Sequence, residues 1–234
     1  MLYARKEALF ENRFDAGRKL ATLLEAYKGQ SAIVLAIPNG GVPIGLECAL
    51  SIDADFDVVI SRKIPFPLKP EAGFGAIADD GIPIINEGVI RQYSLSDHQV
   101  NYAINDVRME IRRRTNLYRG NRPLAVVKDK TVIITDDGLA SGYTMKAAVE
   151  SVRKRQPREI IAAVPAASQG AMELLENVAD KIITCAIGTM PKFFIADFYS
   201  VWYDFKDKEV TQCLKQWRMR RIDSIIKPPP GKPS

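Results

Sequence analysis

Two adjacent carboxylates, Asp136 and Asp137, stand where an apolar, β-branched run gives way to a turn of small residues. The run is Val132-Ile133-Ile134-Thr135, and the turn continues Gly138-Leu139-Ala140-Ser141-Gly142-Tyr143-Thr144. The run reads as a buried strand of a parallel sheet, covered on both faces. Ligands of such sheets bind just beyond the carboxyl ends of the strands, so the two aspartates would sit at the rim of a crevice. Gly138 and Gly142 let the backbone turn closely, and the small Ala140 and Ser141 leave room for inward-pointing amides. Ser141 and Thr144 add hydroxyl donors at a helix start, where free N–H groups and the helix dipole favour an anion. Two acceptors beside an anion cradle suit a sugar phosphate: carboxylates for vicinal hydroxyls, loop for phosphate. The carboxylates alone could equally be an acidic strand end before an ordinary turn.

The whole stretch resembles the signature of type I phosphoribosyltransferases, which bind phosphoribosyl pyrophosphate (PRPP). That signature is a hydrophobic strand, two acidic residues and a loop ending in Thr/Ser-Gly-x-Thr. The resemblance implies that Asp136 and Asp137 are the catalytic pair and bind the ribose 2′- and 3′-hydroxyls. It also implies that Gly138, Ala140, Ser141, Gly142, Tyr143 and Thr144 hold the 5′-phosphate. Ser141 stands where Thr is commoner in the family, and Tyr143 where a small or basic residue is commoner.

The elements that must position these groups are read from periodicity. Phe14 to Tyr27 carries Leu20, Leu23, Leu24 and Tyr27 at helical spacing, with Gly29 as a C-cap. A strand, Ala32 to Ile37, runs into Pro38-Asn39-Gly40-Gly41, and a helix follows from Val42 to Leu50. Taken alone, this loop is a structural turn. It resembles, however, the family's pyrophosphate loop, which assigns Asn39, Gly40 and Gly41 to pyrophosphate, with Asn39 where a basic residue is often found. Asp57 to Ser61 reads as a further strand with Arg62 and Lys63 at its carboxyl end. These two cations are either a solvated edge or, by the resemblance, further pyrophosphate contacts.

Gly73-Phe74-Gly75-Ala76-Ile77-Ala78 matches a loose G-x-G-x-x-A pattern but follows Pro65, Pro67 and Pro70, so a hairpin turning at Asp79-Asp80-Gly81 is expected and a dinucleotide fingerprint is rejected. The resemblance places a mobile lid here, within about 64–120. From Glu87 to Arg119 the pattern is helical, capped at Ser94 or Ser96, with Val100, Ile104, Val107 and Ile111 inward. Arg112-Arg113-Arg114 and Arg119 are either a solvated face or a substrate contact. His98, the single histidine, has no catalytic partner in sequence. Strands are expected at Ile160–Val164, closed by Pro165, and at Lys181–Ala186, with a helix from Ala171 to Val178. Aromatic residues crowd between Phe193 and Phe205. By the resemblance the termini, about 1–12 and 190–226, form a hood over the acceptor, with Trp202 and Tyr203 as acceptor contacts.

The expected architecture is α/β: a mainly parallel sheet with helices on both faces, one domain over 1–226 with its core at about 30–190, and a disordered tail at 227–234. Its 234 residues suffice for a full core. The net charge of +5 fits a polyphosphate substrate but would fit other acidic partners too. Cys48, Cys185 and Cys213 lack metal-ligand spacing and read as reduced thiols. Arg5, Lys6 and Glu7 interrupt any leader pattern and no apolar run spans a membrane, so a cytoplasmic protein without nucleic-acid or membrane partners is expected.

What the resemblance implies is transfer of a 5-phosphoribosyl group from PRPP to an acceptor, with Mg²⁺ as cofactor and no direct protein ligand to the metal assigned. Purine, pyrimidine and small-amine acceptors are all compatible. Dimerisation is common in the family, though no seam is traceable in this sequence. The alternative is a regulatory protein that binds PRPP without transferring it. A Walker-B reading of the aspartates requires a G-x-x-x-x-G-K-[ST] loop, which the sequence lacks.

Overall fold

The apolar runs sort their side chains with a period of two onto the faces of one central sheet. The computed structural model describes residues 8–67, 69–189 and 192–226, without the side chains of residues 70, 71 and 221–226. The first seven residues of the expected hood and the 227–234 tail lie outside the described residues. In chain order come α1 (Arg13–Thr22), β1 (Ala32–Ala36), α2 (Gly41–Ile52), β2 (Asp55–Val58), β3 (Ser61–Phe66), β4 (Lys69–Ala78) and β5 (Pro83–Ile85). Then follow α3 (Glu87–Gln92), α4 (Asp97–Arg119), β6 (Thr131–Thr135), α5 (Tyr143–Arg153), β7 (Glu159–Ser168), α6 (Gln169–Leu175), β8 (Lys181–Gly188) and α7 (Asp207–Ile226).

The five-stranded sheet has the order β2-β1-β6-β7-β8, and every neighbouring pair is parallel. Val34, Ile133 and Ile161 point to one face, under α1 and α2, in a core that continues to α4 and α7. Ile33, Leu35, Val132 and Ile134 point to the other, beneath α5 and α6. Full burial on both faces explains why these strands are continuous apolar runs instead of alternating ones. A second, antiparallel sheet, β3-β4-β5, turns at Asp79-Asp80-Gly81 as the hairpin reading expects. Phe74, Ala76, Ile77 and Ala78 of its middle strand are buried.

Several expected boundaries move, each for a local reason. The run 57–61 is two strands: β2 stops at Val58, and the chain leaves the parallel sheet through buried Val59 and Ile60 before β3 begins. Arg62 and Lys63 therefore belong to the hairpin sheet and not to the tip of a parallel strand. The helix expected over 87–119 breaks at Ser94, whose φ is 50°, and restarts behind Ser96, which forms a capping box with Gln99. Pro165 does not close β7. Pairing with β6 ends at Ala163, so beyond it the strand has lost one neighbour and a missing N–H is tolerated. The first helix ends at Thr22, and a 3₁₀ turn, Glu25–Tyr27, carries Tyr27 into the core.

Helix α7 lies beyond the elements expected from sequence, although Val210, Cys213, Leu214 and Trp217 have helical spacing and pack into the core. The Trp217 ring meets Phe56 edge-on, with centroids 5.6 Å apart. Trp217→Ala should lower stability by about 3 kcal/mol or more, as large-to-small aromatic deletions in cores do. Urea unfolding would report this as a lower midpoint at unchanged slope.

Candidate functional site

From β1 the chain crosses to β2 on one side, and from β6 it crosses to β7 on the other. The gap between the carboxyl ends of β1 and β6 is therefore the topological switch point of the sheet, where open α/β folds bind ligands. Two loops meet there: 38–41 after β1 and 136–142 after β6. They approach to backbone contact. A Cβ on Gly41 would lie 2.6 Å from the Thr135 carbonyl oxygen, and one on Gly40 would overlap the Asp137 carboxylate. Glycine at both positions is thus a packing requirement. The Pro38–Asn39 peptide is cis.

Asp136 and Asp137 are both half-buried at the end of β6. The Asp137 amide donates to Asp136 Oδ1 at 2.8 Å. Arg13, the first residue of α1, brings Nε and one terminal nitrogen each to 2.9 Å from Asp137 Oδ2. Its other terminal nitrogen donates to the Tyr203 carbonyl at 2.7 Å, and its guanidinium carbon lies 3.8 Å from the centre of the Trp202 ring. The Tyr199 hydroxyl donates to the Asp137 carbonyl at 2.7 Å. Burial pushes the Asp136 carboxyl well above the usual range, and the neighbouring Asp137 charge adds to it. Burial also raises Asp137, against the opposing pull of Arg13.

A cavity of about 400 Å³ is lined by the unbroken run 136–145, faced by Lys63, Ala72, Gly73, Gly75 and Ile195. It gathers Asp136, Asp137, Gly138, Ala140, Ser141, Gly142, Tyr143 and Thr144 around one space. Gly142 takes a φ of 78° to start α5, and the first turn of that helix has N–H groups with no intrahelical acceptor. The loop is braced from behind: Leu139 exchanges hydrogen bonds with Ala166 and Ser168, and the Ser168 hydroxyl donates to the Ala140 carbonyl at 2.6 Å. Ser61 of β3 donates to the Thr144 carbonyl at 2.8 Å, tying the hairpin sheet to the same turn.

The remaining candidates are distributed differently. Lys63 lines the cavity, whereas Arg62, its neighbour on β3, lies in the field of Arg114, Glu110, Tyr118 and Asp207. The Asn39 amide is engaged inside the protein. It donates to the Phe205 carbonyl at 2.7 Å and to Asp207 at 3.2 Å, and accepts from Tyr118 at 3.0 Å and from Arg114. Arg113 and Arg114 also bind Glu110, and Arg113 reaches Asp207 at 2.7 Å. The Arg113 contact, with Arg114 assisting against burial, holds Glu110 down to about 2. Burial pushes Asp207 up, but hydrogen bonds from Tyr118 and Arg113 prevail and bring it to about 2. Arg119 is buried and donates to the Val58 carbonyl, while Arg112 is exposed. This basic stretch is therefore chiefly a brace between α4, the 38–41 loop and α7.

Trp202 lies over Arg13, and Tyr203 lines a separate cavity of about 150 Å³ beside it. Phe10 and Glu11 pair with the chain around residues 198–201, which joins the two terminal segments. His98 is exposed on the first turn of α4. All three cysteines are free thiols, two of them buried. Among the described residues no cluster of three His, Cys, Asp or Glu side chains could hold a metal, and no helix is long and apolar enough to cross a membrane. Sequence reasoning missed Arg13, Tyr199 and Asp207. Arg13 carried one local signal, a position just behind the N-capping Asn12, but nothing tied it to a residue 124 positions away.

Residues 7–199 match the family model described as the phosphoribosyl transferase domain. A Mycobacterium tuberculosis (strain H37Rv) protein, named only provisionally as a phosphoribosyl transferase, is 32% identical over 206 residues, covering 88% of this chain and 46% of its own length. The chain thus spans about half the length of the curated relatives it matches. The structure of TT1426 from Thermus thermophilus superposes with a TM-score of 0.71 at 30% identity, covering 89% of this chain and 98% of that one. AQ2163 from Aquifex aeolicus shares the fold at 12% identity with a TM-score of 0.50, covering 81% of this chain and 86% of that one.

The raised Asp136 carboxyl has a stability consequence. A group whose folded pKa lies above its unfolded value is protonated more readily in the folded state, so ionising it at higher pH costs stability. Asp136→Asn keeps the oxygen that accepts from Asp137 and removes the charge. Its melting temperature should exceed that of the unsubstituted protein at pH 7.5, by about 2–4 °C for each kcal/mol relieved. The gain should vanish as pH falls below the unfolded carboxylate value, near about 4.

Proposed function

Because the chain belongs to the phosphoribosyl transferase domain family, we propose that it moves a 5-phosphoribosyl group from PRPP to a nitrogenous base or similar acceptor, releasing pyrophosphate. The observation that carries this reading is the single cavity bounded without a break by residues 136–145. A carboxylate pair lies at one end of that run and the unpaired amides of a helix start at the other. Asp136 and Asp137 would accept from the ribose hydroxyls. The turn from Gly138 through Ala140 to Thr144 would seat the 5′-phosphate on backbone N–H groups and the Ser141 and Thr144 hydroxyls.

The pyrophosphate would then extend toward the 38–41 loop. With the Asn39 amide engaged internally, that loop offers backbone and the close approach allowed by Gly40 and Gly41, while Lys63 brings positive charge from the opposite wall. Mg²⁺ would enter as part of the substrate, bound to the polyphosphate, and so needs few ligands from the protein. The ion would neutralise charge on the departing pyrophosphate. As the bond from C1′ to pyrophosphate lengthens, the ribose becomes cationic, and the half-buried carboxylates would stabilise that charge. The middle strand of the hairpin sheet lines the cavity with Ala72, Gly73 and Gly75 and would limit water, which competes with the acceptor for the same carbon. Holding both reactants in one geometry supplies the rest of the acceleration.

A second reading, a PRPP-binding regulator without transfer, is favoured by one feature: the sole polar side chain of the 38–41 loop, that of Asn39, is turned into an internal network. Pyrophosphate release from Mg-PRPP, screened across purines, pyrimidines and small amines, separates the two. Transfer predicts turnover with at least one acceptor. Binding without release for every acceptor would leave the regulator. In the same assay Asp136→Asn should weaken PRPP binding or turnover by about tenfold or more, the loss expected for a hydrogen bond to a charged group. Full retention of both would sink the ribose assignment.

A further inference from the structure

We propose that Arg13 is the positioning residue for Asp137, fixing which carboxylate oxygen is offered to the sugar. The inference rests on the ribose reading of the aspartate pair. Arg13 opens α1, and its backbone is fixed by Asn12, whose side chain accepts from the Phe14 and Asp15 amides. Two nitrogens of the guanidinium converge on Asp137 Oδ2, each at 2.9 Å, and leave Oδ1 outside the fork. The third nitrogen is anchored on the Tyr203 carbonyl, and the Trp202 ring covers the guanidinium face. The side chain is 7% exposed. A buried cation held on two edges and covered on one face has little freedom to turn, and it fixes the place of the Asp137 oxygen that it grips.

The glycine loop is shaped to this pair. A Cβ on Gly40 would overlap Asp137 Oδ2 and come within 3.2 Å of Arg13 Nε. The remaining polar neighbours act on other atoms: Tyr199 holds the Asp137 carbonyl, and Asp136 accepts from the Asp137 amide. The Asp137 amide also bears on its own carboxylate, so among the described side chains the orientation of that carboxylate falls to Arg13. It does not touch the reacting atoms; it acts through Asp137.

A double-mutant cycle on the full chain tests this by calorimetric titration with Mg-PRPP and, separately, with inorganic pyrophosphate. Arg13→Ala and Asp137→Asn should each weaken Mg-PRPP by about tenfold or more. The double variant should lose no more than Asp137→Asn alone. Pyrophosphate affinity should change less than about twofold, because that ligand carries no sugar. Arg13→Lys keeps the charge without the fork and should fall between Arg13→Ala and the unsubstituted chain. Should Arg13→Ala fail to fold, Arg13→Lys takes its place in the cycle with the same non-additivity expected.

Unchanged Mg-PRPP affinity in Arg13→Ala would overturn the assignment, as would losses that add in the double variant. So would an equal loss for pyrophosphate, which is the mark of general damage. Absence of Mg-PRPP binding to the unsubstituted chain would instead overturn the phosphoribosyl reading itself, and this inference with it.

Discussion

The site depends on keeping two neighbouring carboxylates in a half-buried place where neither has full access to water. Adjacent negative charges at the rim of a sheet repel, and burial penalises both. The fold offsets this with one buried guanidinium, one backbone amide and two glycines that let a neighbouring loop come within contact of the pair. These devices come from α1, from the loop after β1 and from the turn after β6. Those parts are distant in sequence and adjacent only because β1 and β6 lie side by side at the switch point. A carboxylate pair that costs stability is a reasonable thing to find where a ligand supplies the missing interactions.

A second set of contacts fixes the other side of the crevice. Asn39 is held by Arg114 and Tyr118 of α4 and by Phe205 and Asp207 at the start of α7. The loop that approaches the carboxylates is thus braced by elements before and after the signature. The hairpin sheet is tied to α5 through Ser61 and Thr144, so the cavity has the helix-start turn on one wall and Lys63 and small residues on the other.

The signature stretch was local in sequence and was legible there. The strand at 131–135, the acidic pair, the small-residue turn and the helix behind it form one contiguous stretch, and the structure gathers that stretch around one cavity. Alternation of apolar runs with helices likewise dictated the parallel architecture. What escaped was α7, whose helical spacing went unread behind the aromatic cluster, a breakpoint inside an apolar run, and a partner far along the chain. Val59 and Ile60 are as apolar as the strand before them, so nothing local marked where the chain leaves the sheet. Trp202 and Tyr203 were legible as a cluster but not in their role: one covers Arg13 with its ring, and the other receives it through its carbonyl. Charge density at Arg112–Arg114 did not reveal that Glu110 and Asp207 neutralise two of those arginines.

A crystal structure of the chain with Mg-PRPP bound should show the ribose hydroxyls within hydrogen-bond distance of the Asp136 and Asp137 carboxylates, and the 5′-phosphate on the amides between Gly138 and Thr144. A sugar seated elsewhere, or a phosphate bound away from that turn with the carboxylates facing only solvent and Arg13, would contradict that placement.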